Sequence, residues 1–126
     1  MSKKILVVED TEDNRQILRD LLSMAGYDMV EAHDGAEGVA KAAEHKPDLI
    51  LMDIQMPVMD GYEATRRIKA DPALKAIPII AVTSYALSGD EEKTRAAGCD
   101  GYIAKPIDIA SFGQTVLGIV GARKTA

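Results

Sequence analysis

An apolar run from Leu49 to Met52 ends on a carboxylate, Asp53, and a proline stands on each side of this stretch, at Pro47 and Pro57. A run this short between such boundaries predicts a strand that is buried on both faces. Because an unpaired charge at the end of a buried strand is costly, Asp53 is expected to meet a metal ion, a cation or a hydrogen-bond donor. In an open parallel sheet, ligands bind outside the carboxyl ends of the strands, where Asp53 would lie.

The rest of the chain repeats one unit, a short apolar run followed by a helix signal. The other predicted strands are Lys4 to Val8, Asp28 to His33, Pro78 to Val82 and Gly101 to Ala104. The predicted helices start near Thr11, Asp34, Tyr62, Ser88 and Asp108. Five strands that alternate with five helices predict an α/β fold, a doubly wound parallel sheet with helices on both faces.

The first helix has a clear amphipathic pattern. Thr11 can cap its start, and Gly26 is expected to end it. Apolar residues recur at helical spacing between these two positions and predict one buried face. They are Ile17, Leu18, Leu21, Leu22 and Ala25.

Composition narrows the class of protein further. A chain of 126 residues predicts one domain. Its single cysteine, Cys99, cannot form an internal disulfide and is expected to fill a small gap in the core. No apolar stretch approaches the roughly 20 residues of a membrane span and no signal peptide is recognisable, so a cytoplasmic protein is expected. The formal net charge of −5, with scattered basic residues, argues against nucleic-acid binding.

The polar residues that follow the predicted strands carry the chemistry. Strand one ends on Glu9 and Asp10, strand three on Asp53, strand four on Thr83 and strand five on Lys105. All these ends share one edge of a parallel sheet, so three carboxylates would meet a hydroxyl and an ammonium. Such a set favours Mg²⁺, which prefers a few carboxylates and keeps positions open for phosphate oxygens. It suits phosphoryl transfer, in which a carboxylate can itself be the nucleophile.

These residues resemble the response-regulator receiver domain, the CheY-like family, over essentially the whole chain. The segments that carry the resemblance are Val8–Asp10, Leu51–Gly61, Ala81–Ser84 and Ala97–Pro106. The resemblance implies the strand order 2-1-3-4-5 and one receiver domain over residues 1–126, with no output domain. The segment from Met52 to Arg66 is similar to receivers of hybrid kinases, of phosphorelays and of single-domain cell-cycle regulators.

The resemblance implies a role for each acidic residue. Asp53 would be the phosphoacceptor and would take the phosphoryl group from a phosphohistidine. Glu9, Asp10 and Asp53 would hold Mg²⁺ together with the backbone carbonyl of Gln55, and Mn²⁺ can substitute. The protein would then be a phosphorylation-dependent switch, which assists only its own phosphoryl transfer and autodephosphorylation.

The resemblance also implies roles for residues on the later strands. Thr83 would bond the phosphoryl oxygen and move inward, Lys105 would pair with the phosphoryl group, and the bond to Pro106 is expected to be cis. Tyr102 occupies the switch-aromatic position, although packing alone would also account for an aromatic residue there.

Two further positions would tune the lifetime of the phosphoryl group. Gln55 and Tyr85 flank the path of the hydrolytic water in this family, and they could either orient or obstruct that water.

The implied partners are proteins. A sensor histidine kinase or a histidine phosphotransfer protein would dock at the start of the first helix, near Asn14, Arg15 and Leu18. A downstream protein would contact the face formed by the predicted fourth helix, fifth strand and fifth helix. The chain would be a monomer or a weak, phosphorylation-dependent dimer, without nucleic-acid or membrane partners.

Two other functions use related chemistry. A phosphatase or phosphomutase of the haloacid-dehalogenase type also has an Asp nucleophile, but it usually needs a second Asp where this chain has Gln55. A flavodoxin-like FMN carrier needs a phosphate loop after the first strand, where Glu9 and Asp10 would repel the phosphate. A colourless protein without phosphatase turnover would exclude both alternatives.

Overall fold

The computed structural model describes residues 4–24, 26–53, 61–83 and 95–104, with the backbone alone at 83 and 101–104. The strands are β1 (Lys4–Val8), β2 (Asp28–Ala32), β3 (Leu49–Asp53), β4 (Ile79–Thr83) and β5 (Gly101–Ala104). The helices among these residues are α1 (Glu12–Met24), α2 (Gly35–His45) and α3 (Gly61–Ala70), and residues 95–97 are also helical. The strands form one sheet in the order β2-β1-β3-β4-β5, and every neighbouring pair is parallel. The predicted α/β fold and strand order are confirmed.

The register of the sheet aligns the carboxyl ends of its strands. Val8 of β1 pairs with Met52 of β3, and Asp53 pairs with Val82 of β4. At the far side of the sheet, Thr83 pairs with Ala104 of β5. The predicted polar strand ends therefore lie at one edge.

Two aspartates fix the opposite edge, where the strands begin. The Asp48 carboxylate accepts a hydrogen bond from the Lys4 backbone N–H at 2.9 Å, and the Asp48 N–H donates to the Lys4 carbonyl. Asp100 forms the same reciprocal pair with Ile79, and its carboxylate also accepts from the Lys69 ammonium at 3.1 Å. These pairs hold β1 against β3 and β4 against β5 before the ladders start.

Side chains alternate between two core layers, because successive strand residues point to opposite faces of the sheet. Ile5 and Val7 of β1 pack on the layer that contains Leu18 and Leu22 of α1. The intervening residues of β1 pack on the layer that includes residues of α2 and α3. Burying a side chain such as Leu22 stabilises the fold by roughly 1.5–3 kcal/mol. The apolar runs are thus strands with both faces covered.

The apolar face of α1 is rotated from its predicted position. Leu18 and Leu22 are buried and Leu21 is half-buried, as predicted, but Ile17 is 51% exposed. Arg15, at 6% exposure, lies on the buried side instead. The prediction for Ile17 was wrong because the helix turns Arg15 inward to reach the Glu9 carbonyl, just after β1, and the Glu31 carboxylate of β2. Ala25 lies outside the described residues.

The first two helices begin at the positions that the sequence predicted, and a glycine follows the first. Thr11 stands directly before α1, and its carbonyl oxygen accepts from the Arg15 N–H at 3.0 Å. Gly26, at φ +84°, follows the end of α1 in the left-handed conformation that glycine tolerates best. The Asp34 carboxylate caps α2 by accepting from the Glu37 N–H at 2.8 Å.

Gly38 lets α2 approach the sheet closely. A Cβ atom at this position would lie 2.8 Å from Cγ2 and 3.0 Å from Cγ1 of Val8. Val8 is the last residue of β1, so this contact determines how closely α2 packs against the end of the strand, directly before Glu9.

The remaining predicted elements are described in part. Gly98, at φ +108°, follows the helical residues 95–97, and Cys99 is buried in the core as predicted. The predicted helix start at Ser88–Glu91 and the predicted last helix from Asp108 lie outside the described residues. Among the residues that the structure describes, no helix is long and apolar enough to cross a membrane.

Candidate functional site

Three carboxylates meet at the carboxyl edge of the sheet. Glu9, Asp10 and Asp53 each present one oxygen, and these oxygens all lie within 4.8 Å of one another. Glu9 and Asp53 are each 2% exposed, whereas Asp10 is exposed to solvent. The cluster is therefore open on the Asp10 side and enclosed by protein on the other.

Strand register and side-chain parity bring Glu9 and Asp53 together. Because Val8 pairs with Met52, the next residue of each chain segment occupies the same level of the sheet. Asp53 has the parity of Leu49 and Leu51, whose side chains pack on the layer beneath α1. The α1 side of the sheet edge is therefore where the site forms.

Hydrogen bonds shape the turn from β1 into α1 around Glu9. Its carboxylate accepts from the Thr11 backbone N–H at 3.1 Å, and its backbone N–H donates to the Ala32 carbonyl at 3.0 Å. Its backbone carbonyl accepts from Nη1 of Arg15 at 2.8 Å, in a buried hydrogen bond. Glu9 is thus held at its carboxylate, its N–H and its carbonyl.

The predicted role of Arg15 as a docking residue was wrong. With Leu18, at 2% exposure, it was predicted to face a docking kinase, but both side chains are buried. Asn14 is half-buried. The spacing of Glu12 and Arg15, three residues apart on one helix, was a signal that Arg15 has an ion-pair partner on its own helix, but it gave no indication of burial.

Arg15 belongs to a closed ring of ion pairs that joins α1 to β2. Its guanidinium contacts Glu12 at 2.5 Å and Glu31 at 3.3 Å. Arg19 contacts the same two carboxylates, Glu31 at 2.6 Å and Glu12 at 3.4 Å. The hydrogen bond from Arg15 lowers the pKa of Glu12, and the hydrogen bond to Glu31 raises the pKa of Arg19. Both shifts favour the charged forms of Glu12 and Arg19, so they stabilise the ion pairs of the ring.

The chemistry of the cluster fits a hard divalent cation. Three carboxylate oxygens that all lie within 4.8 Å of one another could share one cation after small side-chain movements, since Mg²⁺ binds oxygen ligands at about 2.1 Å. Three carboxylates at this separation repel one another, and a bound cation would offset that repulsion. One exposed ligand beside two buried ones leaves room for water or phosphate oxygens, which Mg²⁺ usually retains.

The other predicted site residues are placed by backbone register or lie outside the described residues. The Thr83 backbone follows Val82, the partner of Asp53, and so stands next to the cluster. Ala104 pairs with Thr83, and Tyr102 pairs with Ala81. The predictions that concern Gln55, Tyr85, Lys105 and Pro106 fall outside the described residues.

Comparison with known proteins points to one family. The model of the response regulator receiver domain matches residues 5–117. The polar-differentiation response regulator DivK of Brucella anthropi is 46% identical over 121 residues, which span 96% of this chain and 98% of that protein. The DivK of Brucella ovis matches to the same extent.

Solved structures agree with this result. The receiver domain of a sensor histidine kinase from Pseudomonas aeruginosa, with a magnesium ion coordinated in its active-site cleft, is 38% identical. It superposes with a TM-score of 0.90 over 96% of this chain and 99% of that chain. A chemotaxis response regulator of Vibrio cholerae is 30% identical, with a TM-score of 0.89 over 94% of this chain and 99% of that one.

The parallel sheet in the order β2-β1-β3-β4-β5, the carboxylates at its carboxyl edge and these likenesses agree with one another. The chain belongs to the response regulator receiver domain family, whose members are signalling switches of two-component and phosphorelay systems.

Proposed function

We propose that Asp53 accepts a phosphoryl group from a phosphohistidine while Mg²⁺ is bound by Glu9, Asp10 and Asp53. The observation that carries this proposal is the cluster itself, in which the buried Asp53 carboxylate lies within 4.8 Å of two other carboxylates at the sheet edge. The magnesium ion in the kinase receiver of Pseudomonas aeruginosa supports the choice of metal. Mn²⁺ is expected to substitute, since it prefers the same oxygen ligands.

The proposed reaction exchanges one bond to phosphorus for another. A carboxylate oxygen of Asp53 attacks the phosphorus atom and forms an acyl phosphate. The bond from phosphorus to the imidazole nitrogen breaks, and its electron pair stays on that nitrogen, which takes up a proton. When bound, Mg²⁺ would neutralise charge on the phosphoryl oxygens. Burial of Asp53 restricts the direction of attack, and among the described residues of the cluster it is Asp10 that faces solvent.

Thr83 and Lys105 are proposed to contact the transferred group. The register supports both, since Thr83 follows the partner of Asp53 and Lys105 follows Ala104, the partner of Thr83. The Thr83 hydroxyl would donate to a phosphoryl oxygen, and the Lys105 ammonium would pair with its charge. Tyr102 would respond as the switch residue.

We extend the proposal to the residues that follow Asp53, Thr83 and Lys105 in the sequence. The backbone carbonyl of Gln55 would be a further ligand of Mg²⁺, and the side chains of Gln55 and Tyr85 would set the lifetime of the acyl phosphate. The Lys105–Pro106 bond would be cis.

The phosphoryl donor is proposed to dock on the exposed apolar stripe of α1. Ile17 and Met24, which is 84% exposed, lie on one face of the helix with the half-buried Leu21 between them. This stripe replaces the predicted docking residues Arg15 and Leu18, which are buried. Because α1 starts two residues after Asp10, a histidine-bearing helical domain on this stripe would bring its phosphohistidine to Asp53. A sensor histidine kinase or a phosphotransfer protein has that chemistry.

The output is proposed to be protein–protein contact. Residues 1–126 would act as one receiver domain in the cytoplasm, without turnover of external substrates. The downstream partner would bind β5 and the predicted helices on either side of it, around Tyr102. The chain would be a monomer, or a weak dimer that forms on phosphorylation.

Intact-mass spectrometry after incubation with phosphoramidate or acetyl phosphate tests the proposal. We expect one phosphoryl adduct that requires Mg²⁺ and is absent from D53N. The matched control is D48N, because Asp48 precedes β3 at the opposite edge of the sheet, where its carboxylate accepts a structural hydrogen bond from the Lys4 backbone. Equal adduct formation in D53N and the parent chain would refute the assignment.

A further inference from the structure

We infer that Arg15 is a positioning residue for the carboxylate site, through its buried hydrogen bond to the Glu9 carbonyl. This inference rests on the proposed function, because it concerns the Mg²⁺ site that phosphorylation of Asp53 would use. In this role Arg15 contacts neither the metal ion nor a docking partner, and it acts by holding Glu9 in place.

The geometry of Arg15 distinguishes it from an ordinary surface ion pair. Its side chain is only 7% exposed, and Nη1 donates to the Glu9 carbonyl oxygen at 2.8 Å. A charge-assisted hydrogen bond of this kind is about twice as strong as a neutral one. It fixes the peptide between Glu9 and Asp10, so it restrains two of the three carboxylates at once.

The two glutamates of the ring hold the guanidinium in place and balance its charge. Glu12 contacts Nη2 and Glu31 contacts Nε, which leaves Nη1 directed at Glu9. A buried cation beside a metal site would repel a dication, and this repulsion is reduced when two carboxylates lie against the guanidinium. Arg15 can therefore position the site without weakening cation binding through its own charge.

Arg19 provides a matched control inside the same ring. It contacts the same two carboxylates, Glu12 and Glu31, and carries the same charge. Arg19 does not contact the turn of Glu9, because its three side-chain nitrogens face Gln16, Glu12 and Glu31. If Arg15 acts by positioning Glu9, replacing Arg15 should change Mg²⁺ affinity and replacing Arg19 should not. If long-range electrostatics dominates, replacing either arginine should change Mg²⁺ affinity to a similar extent.

The two explanations, positioning and electrostatics, also predict changes of opposite sign in Mg²⁺ affinity. Removing a positive charge near the carboxylates would raise Mg²⁺ affinity if electrostatics dominated. Loss of the hydrogen bond that holds the Glu9 carbonyl would lower Mg²⁺ affinity. Removing groups that orient metal ligands typically costs about tenfold to a hundredfold in metal affinity.

The experiment measures Mg²⁺ affinity by isothermal titration calorimetry on the parent chain, R15M, R15K and R19M. Hydrogen exchange of the Thr11 amide is followed in EDTA, because that N–H donates to the Glu9 carboxylate. We expect R15M to lose about tenfold or more in affinity and to exchange faster at Thr11. R15K, which keeps the charge and one donor group, should be intermediate, and R19M should stay within about twofold of the parent.

Each outcome decides the inference. Unchanged or higher Mg²⁺ affinity in folded R15M, or an equal loss in R19M, would overturn it. Far-UV circular dichroism reports whether R15M folds. If R15M does not fold, the Mg²⁺ affinity of R15K is compared with that of R19M, and an R15K affinity no lower than that of R19M would overturn the inference. A parent chain that binds no Mg²⁺ would instead count against the proposed function, and faster Thr11 exchange in metal-free R15M would still support the positioning role.

Discussion

Glu9 and Asp53 lie side by side at the carboxyl edge of the sheet, because Val8 pairs with Met52 in a parallel ladder. Both side chains are buried to the same degree. With Asp10 they place three like charges within 4.8 Å. Repulsion among these carboxylates opposes folding of the metal-free protein at this edge of the sheet.

Replacing Asp10 with asparagine is expected to stabilise the metal-free protein and to weaken its response to Mg²⁺. The change relieves repulsion among the three carboxylates, which amounts to about 1 kcal/mol per pair at 4 Å in water. In EDTA, urea unfolding should show D10N to be more stable than the parent chain. With Mg²⁺ at about 100 times the parent's dissociation constant, the parent should gain about 2.7 kcal/mol and D10N much less.

A D10N protein that is less stable than the parent in EDTA would contradict this account of the cluster. D13N serves as the control, because Asp13 is an exposed acid in the first turn of α1 and is not part of the cluster.

Replacing Gly38 with alanine is expected to destabilise the protein although alanine favours helices. The new Cβ would lie 2.8 Å from Cγ2 of Val8, whose β-branched side chain has little freedom to move. Overpacking costs roughly 1–3 kcal/mol, and the helix propensity gained is about 1 kcal/mol. Urea unfolding should therefore show a net loss in G38A.

The double variant G38A/V8A tests the cause of that loss. Removing the Val8 methyl groups makes room for the new Cβ, so the effect of G38A should shrink or change sign in a V8A background. An undiminished loss there would show that contact with Val8 is not responsible.

Burial is expected to keep Cys99 unreactive and to make stability fall at alkaline pH. The apolar surroundings raise the pKa of the Cys99 thiol, and the hydrogen-bond contact with Thr65 at 3.8 Å opposes this only in part. The folded state therefore retains the proton at pH values where the unfolded chain has released it. The stability contribution is complete below the ordinary thiol pKa of about 8.5 and is lost as the pH rises towards the folded value.

Two measurements check the prediction for Cys99. Its reaction with a disulfide reagent should be slow in buffer and fast in urea at the same pH. The pH dependence of unfolding above pH ~8.5 should be weaker in C99A than in the parent chain. Rapid labelling of the native protein would contradict burial of the thiol.

Charged substitutions on the exposed stripe of α1 are expected to slow transfer from a protein donor but not from a small one. I17D and M24D change side chains that are 51% and 84% exposed, so the fold should tolerate them. Loss of a central apolar contact typically costs 1–2 kcal/mol or more, so the transfer rate should fall by about tenfold. The donor would be the histidine kinase or phosphotransfer protein that labels the parent chain fastest.

The control for the stripe is A43D, since Ala43 is exposed on α2, across the sheet from α1. All three variants should be labelled normally by acetyl phosphate. Equal transfer rates in M24D, I17D and A43D would place the donor on another face.

The sequence predicted most of the sheet and the acidic cluster, but not the surroundings of α1. Short apolar runs such as Leu49 to Met52 could be recognised as strands, and parallel pairing then placed Glu9 beside Asp53. The burial of Arg15 could not be predicted, because it depends on Glu31 of a different strand reaching the guanidinium. Ile17 fits the helical period equally well, and only the rotation of α1 around that contact exposes it.

The central claim is that Asp53 itself carries the phosphoryl group. The most direct test is to label the chain with phosphoramidate and Mg²⁺, reduce it with borohydride and map its peptides by mass spectrometry, because borohydride converts an aspartyl phosphate into homoserine. We predict homoserine at position 53 alone, and none when Mg²⁺ is withheld. Homoserine at position 10 or 48 instead, or a phosphoryl group that resists reduction because it is bound to another kind of side chain, would contradict the account.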